Sequence, residues 1–254
     1  MKQRVISGAI IAVITVVAAY FGGFILDAVL SFIGIYGSYE FIRIKKEKFN
    51  YLLFAIMALS VMGIYLFHQY AVAIMLLEII ILFSVAVFDE NETFNDIATT
   101  FMVSIMLGYF IYFMSSFQKE NKWMFGYVLI ISYLTDVFAF FVGIKFGKHK
   151  LNPRVSPKKT IEGSLGGWFF GCITSFIWAA IFHFFGRGMT FFAISSLCLP
   201  IVSEIGDLAF SLIKRHYGVK DFSNLIPGHG GILDRLDSHI FCIIMFGTLL
   251  ILLG

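Results

Sequence analysis

Apolar residues run along the chain in long stretches, and short polar segments separate one stretch from the next. A helix that crosses a bilayer needs about 20 predominantly apolar residues, and these stretches are close to that length. The polar breaks predict nine membrane-spanning helices, at residues 6–22, 25–44, 51–67, 71–88, 97–117, 124–147, 157–185, 192–215 and 232–253. The pattern therefore indicates an all-α integral membrane protein, a polytopic bundle of about nine transmembrane helices.

The composition supports a membrane protein. Of the 254 residues, 59% are hydrophobic and 14% are charged, and the mean hydropathy is +0.88. An ordinary globular domain is about 45–50% apolar, so a water-soluble core would not absorb this excess. The three cysteines lie in apolar stretches without metal-ligand spacing, and we expect them to pack. The first stretch resembles a signal peptide, but no clean cleavage site follows it, which favours an uncleaved span.

The basic residues are distributed unevenly between the two sides of the predicted membrane. If the N-terminus lies inside, all of the 19 Lys and Arg residues except Lys119, Lys122 and Arg187 fall on the inner side. Basic residues near span ends are retained preferentially in the cytoplasm. The distribution therefore predicts a cytoplasmic N-terminus. It also explains the net charge of +3 as a topology signal, so no nucleic-acid partner is expected.

Two of the predicted cytoplasmic connections are unusually polar. The first, "KHKLNPRVSPKKTIEGSLGG", contains Ser156 and Pro157, which suit an N-cap and a first helical position. We therefore expect Lys158, Lys159 and Thr160 in the first turn of a helix, where free N–H groups and two ammonium groups would favour an anion. The alternative is that the two lysines only set the orientation of the chain.

The second polar connection ends in "PGHGGILDRLDS". The glycines of residues 227–231 permit a tight turn, which suits a phosphate cradle. If a helix begins near Ile232, Asp234 and Asp237 lie on one face, where Mg²⁺ would offset their repulsion. Asp237 could instead only compensate the helix dipole. His229, within the turn, could be a general acid–base, a phosphate donor or a cap.

Three carboxyl groups are predicted to lie deep in the membrane. Counted at about 1.5 Å per residue from the cytoplasmic ends of their spans, Asp136, Glu204 and Asp207 lie roughly 12–16 Å below the boundary. Ionisable groups at such depth are costly, which makes them candidates for function. The alternative is a buried polar pair that joins helices. Glu40 and Glu78 have no such neighbours, and we expect them to be packing or interfacial residues.

The second half of the chain contains a closely spaced series of polar residues: Ser211-x-x-Lys214-Arg215, Lys220-Asp221, Pro227-x-His229-Gly230-Gly231 and Asp234-Arg235-x-Asp237. This series, residues 211–237, resembles the signature of the phosphatidate cytidylyltransferases, also called CDP-diacylglycerol synthases. The stretches "SPKKTIEG", "FFVGIKFGKHK" and "GDLAFSLIKR" are similar to the same family, so the resemblance covers about the last half of the chain. The first 120 residues share only hydrophobicity and length with it.

The resemblance implies Mg²⁺-dependent transfer of CMP from CTP to phosphatidic acid, which gives CDP-diacylglycerol and pyrophosphate. It also implies a multi-pass homodimer in the cell membrane, with a cytoplasmic active site and Asp207 and Asp234 as the metal carboxylates. A second cation beside Mg²⁺ is left open. The catalytic residues expected are Asp207, Asp234, Lys214, Arg215, Lys220, Asp221, His229, Arg235 and Asp237. The substrate-binding residues expected are Lys158, Lys159, Thr160, Ser211, Gly230, Gly231 and Asp136.

Two regions follow from these expectations. Residues 1–123 would form an N-terminal region of about five spans, and residues 124–254 a catalytic region of about four spans that carries the signature. In the reaction, basic groups would offset the repulsion between the lipid phosphate and the triphosphate. Lys214, Arg215 and Arg235 are predicted to clamp phosphates, and Lys158 and Lys159 to receive a second phosphate group.

Two other functions remain as alternatives. In a secondary transporter, Asp136, Glu204 and Asp207 would bind a coupling cation near the midplane. Two features argue against a transporter. The polar residues cluster on one side of the predicted membrane only, and the first half of the sequence does not mirror the second. Another lipid phosphotransferase is the nearer alternative, because it would use the same kinds of residues.

Overall fold

The structure is a computed structural model that describes residues 2–45, 49–182, 187–228 and 230–253, with side chains from residue 7 onward. Within these ranges every predicted span corresponds to a helix, and the all-α multi-pass fold is confirmed. The helices are α1 (Lys2–Phe21), α2 (Gly23–Lys45), α3 (Tyr51–Leu66), α4 (Ala71–Phe88), α5 (Phe94–Glu120), α6 (Lys122–Phe146), α7 (Ile161–Ile181), α8 (Met189–His216) and α9 (Leu233–Leu253). One 3₁₀ turn, His68–Tyr70, precedes α4.

Most of these helices are suited to a bilayer. Seven helical stretches of the described chain are long and apolar enough to cross a membrane, and two shorter apolar helices, Ser7–Phe21 and Tyr51–Leu66, fall below that length. Large apolar side chains such as Phe24, Leu59 and Phe88 are exposed on the helix surfaces. Lipid is the environment that such surfaces require.

The connection between α6 and α7 folds differently from the prediction. Residues Ser156–Thr160 form a strand, β2, antiparallel to β1 (Lys150–Asn152), so the expected helix start at Pro157 is wrong. The N-cap of α7 is Thr160, whose hydroxyl accepts a hydrogen bond from the Gly163 N–H at 3.1 Å. A proline is tolerated in β2 because each strand of a two-stranded sheet is an edge strand. Lys158 and Lys159 therefore lie on a strand.

The chain forms two compact units. Unit 1 consists of Met1–Ser116 and Asp221–Arg235, and unit 2 consists of Phe117–Lys220 and Leu236–Gly254. Unit 1 thus contains α1 to α4, most of α5 and the loop that precedes α9; we call residues 221–232 the signature loop. Unit 2 contains α6, the β-hairpin, α7, α8 and most of α9.

Unit 1 is held by buried polar contacts between its helices. The Lys45 ammonium at the end of α2 donates to the Asp96 carbonyl at 2.8 Å and to the Thr100 hydroxyl at 2.7 Å, both in α5. The Asp27 carboxylate of α2 accepts hydrogen bonds from Tyr65 of α3 at 2.5 Å and from Ser115 of α5 at 3.2 Å. Both contacts fix α2 against its neighbours.

In unit 2, α6 and α7 pack closely along a stripe of glycines. A Cβ on Gly163 would lie 2.7 Å from the Ala139 carbonyl oxygen of α6. A Cβ on Gly167 would lie 2.7 Å from the Thr135 carbonyl oxygen of the same helix. Small residues at such spacing let two membrane helices approach backbone to backbone. The stripe places the start of α7, and the hairpin before it, directly against α6.

Candidate functional site

Unit 2 contains a group of four carboxyl and two ammonium side chains, contributed by α6, β2, α8 and α9. We call it the charged cluster; its members are Asp136, Lys159, Glu204, Asp207, Lys214 and Asp237. The Lys159 Nζ lies 2.6 Å from the Asp207 Oδ2, and the Lys214 Nζ lies 4.0 Å from the Asp237 Oδ2. The structure therefore brings together acidic residues that are far apart in sequence, with basic residues paired to two of them.

Helix α8 supplies three members of the charged cluster. Glu204, Asp207 and Lys214 are spaced by three and seven residues, which places them on one side of a helix with 3.6 residues per turn. Ser211 lies on the same side and donates a hydrogen bond of 3.3 Å to the Asp207 Oδ1. One face of α8 is therefore polar although the helix is long and apolar enough to cross a bilayer.

The hairpin carries Lys159 to the charged cluster. Burial lowers the pKa of Lys159, but the adjacent Asp207 carboxylate, with contributions from Asp136 and Glu204, outweighs burial and raises that pKa above the usual lysine value. Lys159 is therefore an ammonium at neutral pH. A fixed positive charge among carboxylates can receive a phosphate oxygen without a change of its own protonation state.

Three serines connect the helices behind the charged cluster. The Ser132 hydroxyl of α6 lies 2.9 Å from that of Ser203 in α8 and donates to that of Ser238 in α9 at 3.0 Å. Ser238 in turn donates to the Asp136 Oδ2 at 3.0 Å. This serine bridge orients the Asp136 carboxylate. Ser132 and Ser203 are not predictable from the sequence, because a serine within an apolar stretch gives no signal of its partners.

The carboxylate oxygens of the charged cluster are the kind of ligand that Mg²⁺ prefers. In the part of the chain that the structure describes, no three His, Cys, Asp or Glu side chains come close enough to form a metal site by themselves. Mg²⁺ commonly binds through one or two carboxylates together with substrate phosphates. The excess of carboxyl over ammonium groups in the charged cluster fits such a divalent cation.

The signature loop, in unit 1, is held by the Asp234 carboxylate. Its Oδ2 accepts hydrogen bonds from the Phe222 N–H at 2.7 Å and the Gly231 N–H at 2.9 Å. Gly230 has a φ of 85°, a backbone conformation that favours glycine, and a Cβ there would lie 2.8 Å from the same carboxylate oxygen. Asp234 therefore fixes both ends of the loop.

Glu40 of α2 also binds the signature loop. It is 0% exposed and accepts hydrogen bonds from the Ser223 hydroxyl at 2.6 Å and from the N–H groups of Ile232 and Leu233, each at 2.9 Å. Glu40 is buried, as expected of a packing residue, and its carboxylate also makes specific hydrogen bonds that its position in the sequence does not indicate. Within the phosphate cradle predicted at residues 227–231, the Gly231 N–H is taken by the Asp234 carboxylate.

The remaining predicted residues lie nearer the surface. Thr160 uses its hydroxyl to cap α7, and the Arg215 guanidinium donates to the Val219 carbonyl at 3.0 Å. His229 lies outside the described residues. Of the two predicted metal carboxylates, Asp207 belongs to unit 2 and Asp234 to unit 1. The predicted residues whose side chains are exposed are Lys158, Arg215, Lys220, Asp221 and Arg235.

Fold and site together define a multi-pass α-helical membrane protein with a recessed charged cluster. A family model described as the cytidylyltransferase family matches residues 2–253. The chain is 32% identical to the phosphatidate cytidylyltransferase of Bacillus subtilis (strain 168) over 258 residues, which cover 95% of this chain and 94% of that protein. It is 38% identical to that of Staphylococcus aureus (strain COL) over 174 residues, which cover 67% of this chain and 66% of that protein. The chain belongs to the cytidylyltransferase family.

Proposed function

We propose that the chain transfers CMP from CTP to phosphatidic acid, with CDP-diacylglycerol and pyrophosphate as products. The observation that carries this proposal is the match, over 95% of the chain, to a protein named phosphatidate cytidylyltransferase. The family match over residues 2–253 supports nucleotidyl transfer as the reaction type. The enzyme therefore serves phospholipid synthesis in a membrane.

The charged cluster supplies what this reaction needs. An oxygen of the lipid phosphate forms a bond to the α-phosphorus of CTP, the bond from that phosphorus to the bridging oxygen breaks, and pyrophosphate leaves with the electron pair. A phosphate monoester has a second pKa of about 6, so the attacking oxygen is already anionic at neutral pH and needs no strong general base. Lys159 and Lys214 offset the repulsion between the two anionic substrates.

Mg²⁺ is part of the proposal. In unit 2, Asp207 would hold it, with Asp136 or Asp237 as a further oxygen donor. The metal role of Asp234 in unit 1 stays a prediction from the sequence. Asp234 already accepts two backbone N–H groups, and carboxylates that ligate metals are commonly held by such hydrogen bonds. When bound, the ion would neutralise triphosphate charge and stabilise the departing pyrophosphate.

Location and assembly are also proposed. The distribution of Lys and Arg supports a cytoplasmic N-terminus and a cytoplasmic opening for the site in the cell membrane. A recessed site suits the reaction, because the lipid can keep its acyl chains in the bilayer while its phosphate meets CTP from water. A homodimer is proposed from the family resemblance.

The proposal is tested with purified protein in detergent, tritiated phosphatidic acid, CTP and Mg²⁺. We expect a labelled lipid that migrates with CDP-diacylglycerol, and an equal amount of pyrophosphate. A secondary transporter would make no nucleotide-linked lipid. Another lipid phosphotransferase would prefer a different lipid acceptor or nucleotide, which competition with unlabelled lipids and nucleotides detects. Lys119→Gln, a charge change at an exposed residue outside the predicted site, serves as the control variant.

A further inference from the structure

The carboxylate of Glu40 occupies the start of α9. Its Oε1 accepts the Ile232 N–H and its Oε2 accepts the Leu233 N–H, each at 2.9 Å, although 192 residues separate Glu40 from Ile232. The first N–H groups of a helix have no partner within the helix, and the helix dipole favours a negative charge at that end. Glu40 therefore caps the start of α9 from α2.

Gly231, just before this helix start, packs against the Glu40 carboxylate. A Cβ built on Gly231 would lie 2.5 Å from the Glu40 Oε1 and 2.7 Å from both the Oε2 and the carboxyl carbon. All three atoms belong to one buried carboxylate that accepts three hydrogen bonds, so it cannot move aside without losing them. The last glycine of the "HGG" sequence is thus required because only hydrogen fits against Glu40.

Two carboxylates divide the consecutive N–H groups of this segment between them. Asp234 accepts the Gly231 N–H, and Glu40 accepts the N–H groups of Ile232 and Leu233. Glu40 also accepts the Ser223 hydroxyl, at the opposite end of the signature loop. The path of the loop, and with it the position of Asp234, therefore depends on the Glu40 carboxylate.

We propose that Glu40 is a positioning residue for the transfer reaction: it touches neither substrate and acts by holding the signature loop and the first turn of α9. This inference rests on the proposed function, because the reaction is what the loop is positioned for. It assigns a role in the site to a helix of the N-terminal half, where the family resemblance gives no motif.

The test compares Glu40→Gln with the parental protein. Glutamine keeps the shape of the side chain but replaces one acceptor oxygen with an amide that cannot accept an N–H. We expect hydrogen exchange of the amides of residues 231–233 to rise by about tenfold. We also expect kcat/KM to fall by about 10–100-fold, the usual effect of losing a group that orients a site, with the Mg²⁺ concentration for half-maximal activity raised.

Glu78→Gln is the matched control, since Glu78 is 1% exposed, lies in α4 and also belongs to unit 1. It should leave exchange at residues 231–233 and turnover within about twofold of the parental values. A second variant pair tests the steric claim: Gly231→Ala should abolish turnover in the parental protein and cause a smaller further loss in Glu40→Ala.

Normal exchange at residues 231–233 in Glu40→Gln would overturn the proposal, and so would faster exchange with unchanged kcat/KM and Mg²⁺ requirement. Equal effects of Gly231→Ala in both backgrounds would also contradict it. Failure of the proposed function gives a different result, because the parental protein would then make no CDP-diacylglycerol. Hydrogen exchange in Glu40→Gln and the parental protein would still report on the contact of Glu40 with the start of α9.

Discussion

Lys159 and Asp207 form an ion pair of 2.6 Å between an ammonium on a short hairpin strand and a carboxylate on helix α8. The pair joins the polar connection after α6 to the charged cluster of unit 2. It keeps the lysine charged in a half-buried position and leaves its ammonium near two other carboxyl groups, those of Asp136 and Glu204. This arrangement suits a site that brings two anionic substrates together.

Loss of the Lys159 charge should slow the transfer of CMP to the lipid. We expect Lys159→Met to lower kcat by about 10²-fold, because a fixed positive charge that stabilises developing negative charge contributes about that much. Initial rates of lipid-linked CMP formation measure the effect. Lys150→Met, in the partner strand β1 and exposed, is the matched control and should keep parental kcat. Equal activity of the two variants would remove Lys159 from the mechanism.

The protonation of Lys159 should depend on Asp207. The carboxylate raises the pKa of Lys159 against the effect of burial, so the neutral amine forms only at a higher pH than for an ordinary lysine. Asp207→Asn removes the largest influence that raises the pKa of Lys159, so that pKa falls and the amine becomes reactive at lower pH. Mass spectrometry of the Lys159 peptide after brief acylation between about pH 7 and pH 11 measures this shift. Identical pH profiles in both proteins would show that the ion pair does not control the charge.

The two predicted metal carboxylates should differ in what their removal does. Asp207→Asn is expected to raise the Mg²⁺ requirement without disturbing the signature loop, whereas Asp234→Asn should also accelerate hydrogen exchange at the Phe222 and Gly231 amides that Asp234 holds. Activity titrations with Mg²⁺ and exchange measurements on the same preparations separate these effects. Near-parental turnover of either variant at limiting Mg²⁺ would reject the metal role of that residue.

Close packing of α6 and α7 should be sensitive to one methyl group. In Gly167→Ala the new Cβ would lie 2.7 Å from the Thr135 carbonyl oxygen and 2.8 Å from the Ala139 Cβ. Overpacking of this kind costs about 1–3 kcal/mol, so the melting temperature in detergent should fall. Gly188→Ala meets nothing within 4 Å and should change the melting temperature little. A stable Gly167→Ala protein would show that the two helices can separate without loss.

The helices could be predicted from the sequence because each apolar stretch is a local signal. The β-hairpin could not be predicted, because Ser156-Pro157 has the form of a helix start. Its partner strand β1 also has no strong sequence pattern of its own. Asp136, Asp207 and Lys159 were identified as candidates from their depth or charge. Their partners were not, because the ion pair and the serine bridge are tertiary contacts.

Glu40 shows where reasoning from the sequence was incomplete. A carboxyl within an apolar span is itself a reason to expect function, and that signal was available for Glu40. The motifs that carry the resemblance in the sequence, however, lie in the second half of the chain, and the contact of Glu40 with Ile232 spans 192 residues. Proximity of that kind is a property of the fold and is not visible in local spacing.

The fate of the two ends of the CTP triphosphate tests the central claim most directly. Purified protein is incubated with phosphatidic acid, Mg²⁺ and CTP labelled with ³²P at either the α or the γ position. If the chain transfers CMP, label from the α position enters the lipid fraction and label from the γ position appears in pyrophosphate. Lys159→Met should slow lipid labelling and pyrophosphate release equally. Lipid labelled from the γ position, or no labelled lipid from either substrate, would contradict cytidylyl transfer.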